Sequence, residues 1–352
     1  MVPPTNTDAQ DLRTLYPAIS AREFTLEMTD GTSIYVEECG TPTGTPVVYV
    51  HGGPGSRLEA RIRQWFDPEQ YRIIAFQQRG THRCTPTAED IHTDAGIFKG
   101  VRTKTLVDDM ESIKQQLGIE KWLVFGGSWG SSLSIYYSQD YPDSCLGVVL
   151  RGIYLGTDRE NEDYYNEADR LQKQSTEWKQ EAFTRMIDYA KVRGLVIDDS
   201  PSFYRVYKEL VVNRNDLVAA RIWTAYELYV DDPKNEKMFQ RVMSDELETS
   251  PDERSTAVWE TLLFSSLPEE VDLLDKERLS RLTEVPFKIV QGKLDNLCHW
   301  ERAHDFAEAL KANGASVNFT LVETGAHTPY QADMTDELLR ATDHFAQYKS
   351  FL

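Results

Sequence analysis

Trp122-Leu123-Val124-Phe125-Gly126-Gly127-Ser128-Trp129-Gly130 is the stretch on which the fold turns: four apolar residues, then G-x-S-x-G, then a segment of helical character. An apolar run that stops at glycines reads as a buried strand. A strand that turns at once into a helix through such a serine has a chemical purpose. The serine must sit on a turn so tight that its backbone is strained, and small residues two positions away on either side let strand and helix approach. The hydroxyl then points out of the sheet. The next N–H, that of Trp129, lies at a helix N-terminus, where it stabilises negative charge. Ser128 is therefore the candidate nucleophile. A five-residue pattern also arises by chance, so the rest of the chain has to agree with it.

Outward from this stretch the chain alternates between strand and helix patterns. Residues 23–28 and 33–38 read as two strands joined by Asp30-Gly31, a hairpin signal. Residues 46–50 and 71–76 are short apolar runs of the kind that form buried parallel strands. Leu106, Met110, Ile113 and Leu117 fall at helical spacing, with Gly118 as the stop. A strand over 147–150 follows the helix behind Ser128. The pattern resumes with a strand at 286–290, a helix over 301–312, a strand over 317–322 and a terminal helix. This alternation predicts an α/β fold, a mostly parallel sheet with helices on both faces. Between about 155 and 268 the chain is rich in Glu, Lys, Arg, Tyr and Trp without a convincing buried strand. The expected division is a discontinuous core, 1–154 and 269–352, interrupted by a helical cap, 155–268.

The bulk composition narrows the function classes. The chain has 352 residues, 40% hydrophobic and 27% charged, the mixture of an ordinary globular protein. Its net charge of −19 argues against nucleic acid or anionic membrane surfaces as partners. The N-terminal residues lack a basic flank and an apolar core, so no secretory signal is expected. No apolar run approaches the ~20 residues that span a bilayer. Cys39, Cys84, Cys145 and Cys298 are scattered, without metal-ligand or redox spacing, and read as reduced thiols of a cytoplasmic protein.

Acyl transfer from a serine needs a base, an orienting acid and an oxyanion hole. After a G-x-S-x-G turn, acid and histidine are expected in that order on loops after later strands. Asp295 follows the strand ending at Val290, in Gly292-Lys293-Leu294-Asp295, and His327 follows the strand ending at Val322, in Gly325-Ala326-His327. Alone, such an Asp reads as a turn residue and such a His as a surface side chain. Together, in this order, they read as the acid and base for Ser128. His51-Gly52-Gly53-Pro54-Gly55 follows an earlier strand, and its glycines allow close approach to a substrate. Gly53 N–H is the expected oxyanion donor beside Trp129 N–H. No metal or organic cofactor is implied.

His51-Gly52-Gly53-Pro54-Gly55, the run from Gly126 to Leu133 and Leu150-Arg151-Gly152-Ile153 together resemble the proline iminopeptidases. These are serine peptidases of the α/β-hydrolase fold that release an N-terminal proline. The resemblance runs from about Leu15 to the C-terminal helix, closely in the core and more loosely in the cap. It implies small peptide substrates with N-terminal proline, held by cap carboxylates and an aromatic pocket. Glu227, in Trp223-Thr224-Ala225-Tyr226-Glu227, corresponds to one carboxylate, with Tyr226 where the family has a second Trp. Glu260 corresponds to the other, although Thr261-Leu262-Leu263 departs from the usual sequence. A cationic imino group taken partly out of water needs such anionic partners. The resemblance further implies that Arg151 orients the carboxylates, and that Tyr154, Tyr164, Tyr165, Phe264 and Cys298 line the proline pocket.

One loop departs from the family. Where Asp-Gln-Arg-Gly-x-Gly-x-Ser is usual, this chain has Gln77-Gln78-Arg79-Gly80-Thr81-His82-Arg83-Cys84. If position 82 needs a positive φ, histidine tolerates it poorly. Three readings stay open at this point: a proline-releasing aminopeptidase, an esterase, amidase or broader aminopeptidase, and a catalytically silent binding protein. The complete serine, acid and histidine set favours an enzyme over the last.

Overall fold

The computed structural model describes residues 12–88, 90, 96–162, 177–231 and 251–351. Eight strands form a sheet in the order β1-β2-β4-β3-β5-β6-β7-β8. β1 (Arg22–Glu27) and β2 (Ser33–Gly40) make the hairpin expected around Asp30-Gly31, and β2 runs antiparallel to β4. β3 (Thr45–Val50), β4 (Tyr71–Phe76), β5 (Trp122–Ser128), β6 (Cys145–Ile153), β7 (Phe287–Gly292) and β8 (Val317–Val322) are mutually parallel. The longer helices are α1 (Thr103–Gln116), α2 (Trp129–Asp140), α3 (Glu177–Lys191), α4 (Ser200–Lys208), α5 (Leu217–Asp231), α6 (Pro251–Phe264), α7 (Trp300–Ala312) and α8 (Ala332–Tyr348).

The central strands read as mostly apolar runs because both of their faces are covered, and strand geometry sorts the side chains by period two. Val48, Val50, Ile74, Phe76, Val124, Val148 and Leu150 share one buried cluster with α1, α2 and α7. Their neighbours Val47, Tyr49, Ile73, Ala75, Leu123, Phe125 and Val149 join a second cluster with Trp65, Phe66 and the α8 residues Leu338 and Phe345. Full burial of one such Val, Ile or Phe side chain contributes ~1.5–3 kcal/mol. The 3-10 helix Ala60–Trp65 that helps cover the second face has no counterpart in the sequence reading.

Between β6 and β7 the described residues include α3 to α6. Their own core is aromatic: Phe203 lies 5.4 Å from Trp223, and Tyr207 lies 5.4 Å from it on another side. Tyr226 packs into the same cluster, 5.8 Å from Phe203. α5 packs on α6. That contact sets Glu227 and Glu260 on neighbouring helices. Among the described residues no helix is long and apolar enough to cross a membrane.

Candidate active site

Ser128 ends β5 and caps α2 with φ 56° and ψ −132°, a left-handed backbone that a non-glycine residue adopts only under constraint. The constraint is the packing around it. A Cβ on Gly126 would lie 2.2 Å from Ser134 Oγ, and one on Gly130 would lie 2.2 Å from the Val50 carbonyl. Only glycine lets β5, α2 and β3 come this close. Trp129 is the first residue of α2, so its N–H has no acceptor within the helix.

The three side chains expected to work together do meet. His327 Nδ1–H donates to Asp295, 2.9 Å from Oδ2. This leaves Nε2 as an acceptor, and Ser128 Oγ stands 3.1 Å from it. The Asp295 carboxylate also accepts from the N–H groups of Cys298 at 2.8 Å and Leu297 at 3.0 Å. Burial alone would raise its pKa. The bonds from His327, Cys298 and Leu297 outweigh that and hold it below the usual carboxylate range. Gln291, which the sequence reading did not single out, donates to Asp295 at 3.3 Å and to the Cys298 carbonyl at 2.9 Å. Asp295, Cys298 and His327 have ligand atoms within 4.8 Å of one another, the one such grouping among the described residues. A metal held there would displace the carboxylate from the imidazole.

The loop from His51 to Gly55 is fastened by a second histidine. His51 is buried, and burial pushes its pKa down to about 4, so the ring is neutral. Its Nδ1–H donates to the Gly52 carbonyl at 2.8 Å, and its Nε2 accepts the Gln78 backbone N–H at 3.0 Å. The Gln78 side chain completes the tie. It donates to the His51 carbonyl at 2.6 Å and accepts from the Trp129 indole N–H at 3.0 Å. One glutamine thus joins the glycine loop to the residue after the serine.

The divergent loop closes despite its substitutions. Gln77 Oε1 accepts the Leu58 N–H at 2.9 Å, and the Cys84 thiol lies 3.5 Å from the Gln78 carbonyl. Arg79 reaches both oxygens of Asp109 on α1, at 2.9 and 2.6 Å. His82 does take a positive φ, 38°, the conformation for which the family pattern has glycine.

Ser128 opens into a cavity of about 680 Å³ whose lining includes Gly53, Trp129, His327, Tyr154, Phe264, Cys298, Glu227 and Glu260. Phe264 is edge-on to Tyr154 at 5.4 Å and to Trp129 at 6.0 Å, which builds an aromatic wall. Tyr154 donates its hydroxyl to Asn161 at 2.7 Å. Glu260 is buried and accepts the Trp223 indole N–H at 2.7 Å. Burial, with the charge of Glu227, pushes its pKa well above the usual carboxylate range, while the Trp223 bond opposes that shift. Tyr164 and Tyr165 lie outside the described residues. Tyr204, buried in the cavity wall 6.1 Å from Phe264, was not expected from the sequence, since no motif surrounds it.

Arg151 lines the same cavity as Glu227 and Glu260, and its own bonds go to His327. Its Nη1 donates to the His327 carbonyl at 3.1 Å and stands 3.5 Å from His327 Nε2. It does not bond to Glu227 or Glu260. Period-two alternation along β6 puts Arg151 on the side of Val149, the face covered by α8, while the two glutamates come from the inserted helices.

The chain matches the family model for the alpha/beta hydrolase fold over residues 45–330. It is 32% identical over 348 residues to a probable proline iminopeptidase of Leptolyngbya boryana, covering 96% of this chain and 99% of that one. The chain belongs to the proline iminopeptidase family of α/β-hydrolases. It is a hydrolase, and a second relative, the proline iminopeptidase of Xanthomonas citri, is 31% identical over 346 residues, 95% of this chain and 100% of that one. The fold is shared more widely: an esterase from Exiguobacterium antarcticum superposes with a TM-score of 0.52 at 21% identity, covering 92% of this chain and 98% of that chain.

Proposed function

We propose that this hydrolase is a serine aminopeptidase that releases N-terminal proline from short peptides. Ser128 Oγ attacks the prolyl carbonyl as its proton passes to His327 Nε2, and Asp295 holds the ring tautomer and supports the imidazolium. The N–H groups of Gly53 and Trp129 receive the oxyanion. His327 then protonates the leaving amine, and water, activated by the same imidazole, hydrolyses the acyl-enzyme. We read 155–268 as the cap over the core 1–154 and 269–352. We place the protein in the cytoplasm, where its four buried free thiols would stay reduced.

The observation that carries this reading is the Glu227–Glu260 pair in the same cavity as Ser128. Burial and the charge of Glu227 push the Glu260 pKa well above the usual carboxylate range, which favours a proton on this pair. A cationic imino group can take that proton's place. Tyr154, Phe264 and the neighbouring Cys298 support the reading by offering an apolar seat for the pyrrolidine ring.

The test compares a proline arylamide, its alanine counterpart and an N-blocked proline arylamide, using wild type, Ser128→Ala and Glu227→Gln. Free proline is expected to be cleaved far faster than the other two, and not by Ser128→Ala. Glu227→Gln is expected to lose most prolyl activity while still hydrolysing a simple ester. Equal rates on free and blocked proline would remove the carboxylate pair from substrate binding and leave an esterase or amidase.

A further inference from the structure

The cavity is lined by charged groups of both signs. Glu227, Glu260 and Glu160 line it, and so do Arg151 and Arg57. Arg61 adds a third guanidinium at the Arg57 and Arg151 end, stacked 3.9 Å over the ring of Tyr330, a lining residue. Exposed Glu59 is the acid at this end. In a protein of net charge −19, two lining arginines with a third stacked on the lining Tyr330, beside one glutamate, stand out as a local concentration of positive charge.

Arg151 is the member that touches the chemistry. It is half-buried, and its stem lies across the nucleophile turn, where a Cβ on Gly127 would come within 2.2 Å of its Nε. Its Nη1 stands 3.5 Å from His327 Nε2, the atom that hands a proton to the leaving amine. Among the described residues Arg151 makes no ion pair; its bond to the His327 carbonyl is to a neutral acceptor. A charged guanidinium kept beside the leaving group without a counter-ion is a site for an anion.

We propose that Arg151 binds the free α-carboxylate of the leaving residue, so that the enzyme prefers dipeptides beginning with the accepted residue. In a dipeptide the carboxylate carbon lies about 2.5 Å from the leaving nitrogen by standard bond lengths. With that nitrogen at His327 Nε2, the carboxylate falls within hydrogen-bond reach of Nη1. In longer peptides the same place is taken by a neutral carbonyl. Substrate amine and carboxylate would then be held at opposite ends of one cavity, with the scissile bond at Ser128 between them. This inference rests on the aminopeptidase reading above but not on the choice of proline.

The experiment measures kcat/KM for prolyl-glycine and prolyl-glycinamide, and for alanyl-glycine and alanyl-glycinamide. Wild type, Arg151→Gln and Arg151→Lys are compared. Wild type is expected to favour the free acid over the amide by about tenfold or more, the size of a charge-assisted hydrogen bond. The ratio is expected to fall towards one in Arg151→Gln and to stay intermediate in Arg151→Lys, whatever loss acid and amide share. A wild-type ratio of one or below, or an unchanged ratio in Arg151→Gln, overturns the carboxylate site. Cleavage of the alanyl pair alone removes proline as the substrate, and the alanyl ratio then decides the inference. No cleavage of any of the four overturns both.

Discussion

Replacing Gln78 by leucine keeps the volume of the side chain and removes only its polar end. That end makes two bonds in a buried place, to the His51 carbonyl at 2.6 Å and from the Trp129 indole at 3.0 Å. Both partners would be stranded away from water. At about 1–3 kcal/mol for each orphaned group, the variant should lose about 2–6 kcal/mol of stability. The catalytic effect is separate. Without the tie, the loop bearing Gly53 is free to shift relative to the Trp129 N–H. A misplaced oxyanion donor costs about 10²–10³ in kcat. Since the donors act on charge that develops only in the transition state, KM should change little. Gln78→Glu separates the two bonds: it still accepts from Trp129 but sets a carboxylate oxygen against the His51 carbonyl. Steady-state kinetics on a proline arylamide and thermal unfolding of all three proteins test this. A Gln78→Leu protein with wild-type Tm and kcat within about threefold of wild type would refute the reasoning, as would a loss confined to KM.

Three other outcomes follow from the same geometry. Ser128→Gly should abolish turnover yet raise the Tm above that of Ser128→Ala, because glycine adopts φ 56° without the ~1–3 kcal/mol of strain a non-glycine residue bears; calorimetry of the two variants checks it. Glu260 has a folded pKa raised by burial and by Glu227, so its contribution to stability falls as pH rises through the unfolded carboxylate range. Glu260→Gln should therefore unfold at a higher temperature than wild type near pH 8 while turning over prolyl substrates far more slowly. His51 behaves oppositely. Its folded pKa of about 4 lies below the ordinary 6.5, so its contribution is complete above pH 6.5 and disappears as pH falls towards 4. The difference amounts to about 3 kcal/mol. Urea titrations across that interval should show a steep acid loss, and the loss should be shallower in His51→Gln.

The framework of this molecule was legible because it depends on local pattern. Residues 46–50 are apolar throughout and 71–76 are apolar except for Arg72, and they form β3 and β4, covered on both faces. The order of Ser128, Asp295 and His327, each after a strand, located the three side chains that now lie in hydrogen-bond contact. What escaped the sequence depends on partners far away along the chain. Gln78 and Gln291 look like ordinary polar residues until His51, Trp129 and Asp295 are brought beside them. Tyr204 reaches the cavity only because α4 packs beside α6. The contact of Arg151 with His327 was not legible, because a motif says that an arginine is present, while strand alternation decides which face it occupies.

His327 and Ser128 are separated by 199 positions, and the histidine follows β8, the last strand of the chain and an edge of the sheet. A growing polypeptide therefore carries Ser128, the proposed nucleophile, long before it carries His327, the proposed base. Until the segment from β7 through the β8 loop has emerged and docked, Ser128 is an ordinary alcohol. The order of residues thus works as a timer, keeping Ser128 and His327 apart in the nascent chain until the β8 loop has docked.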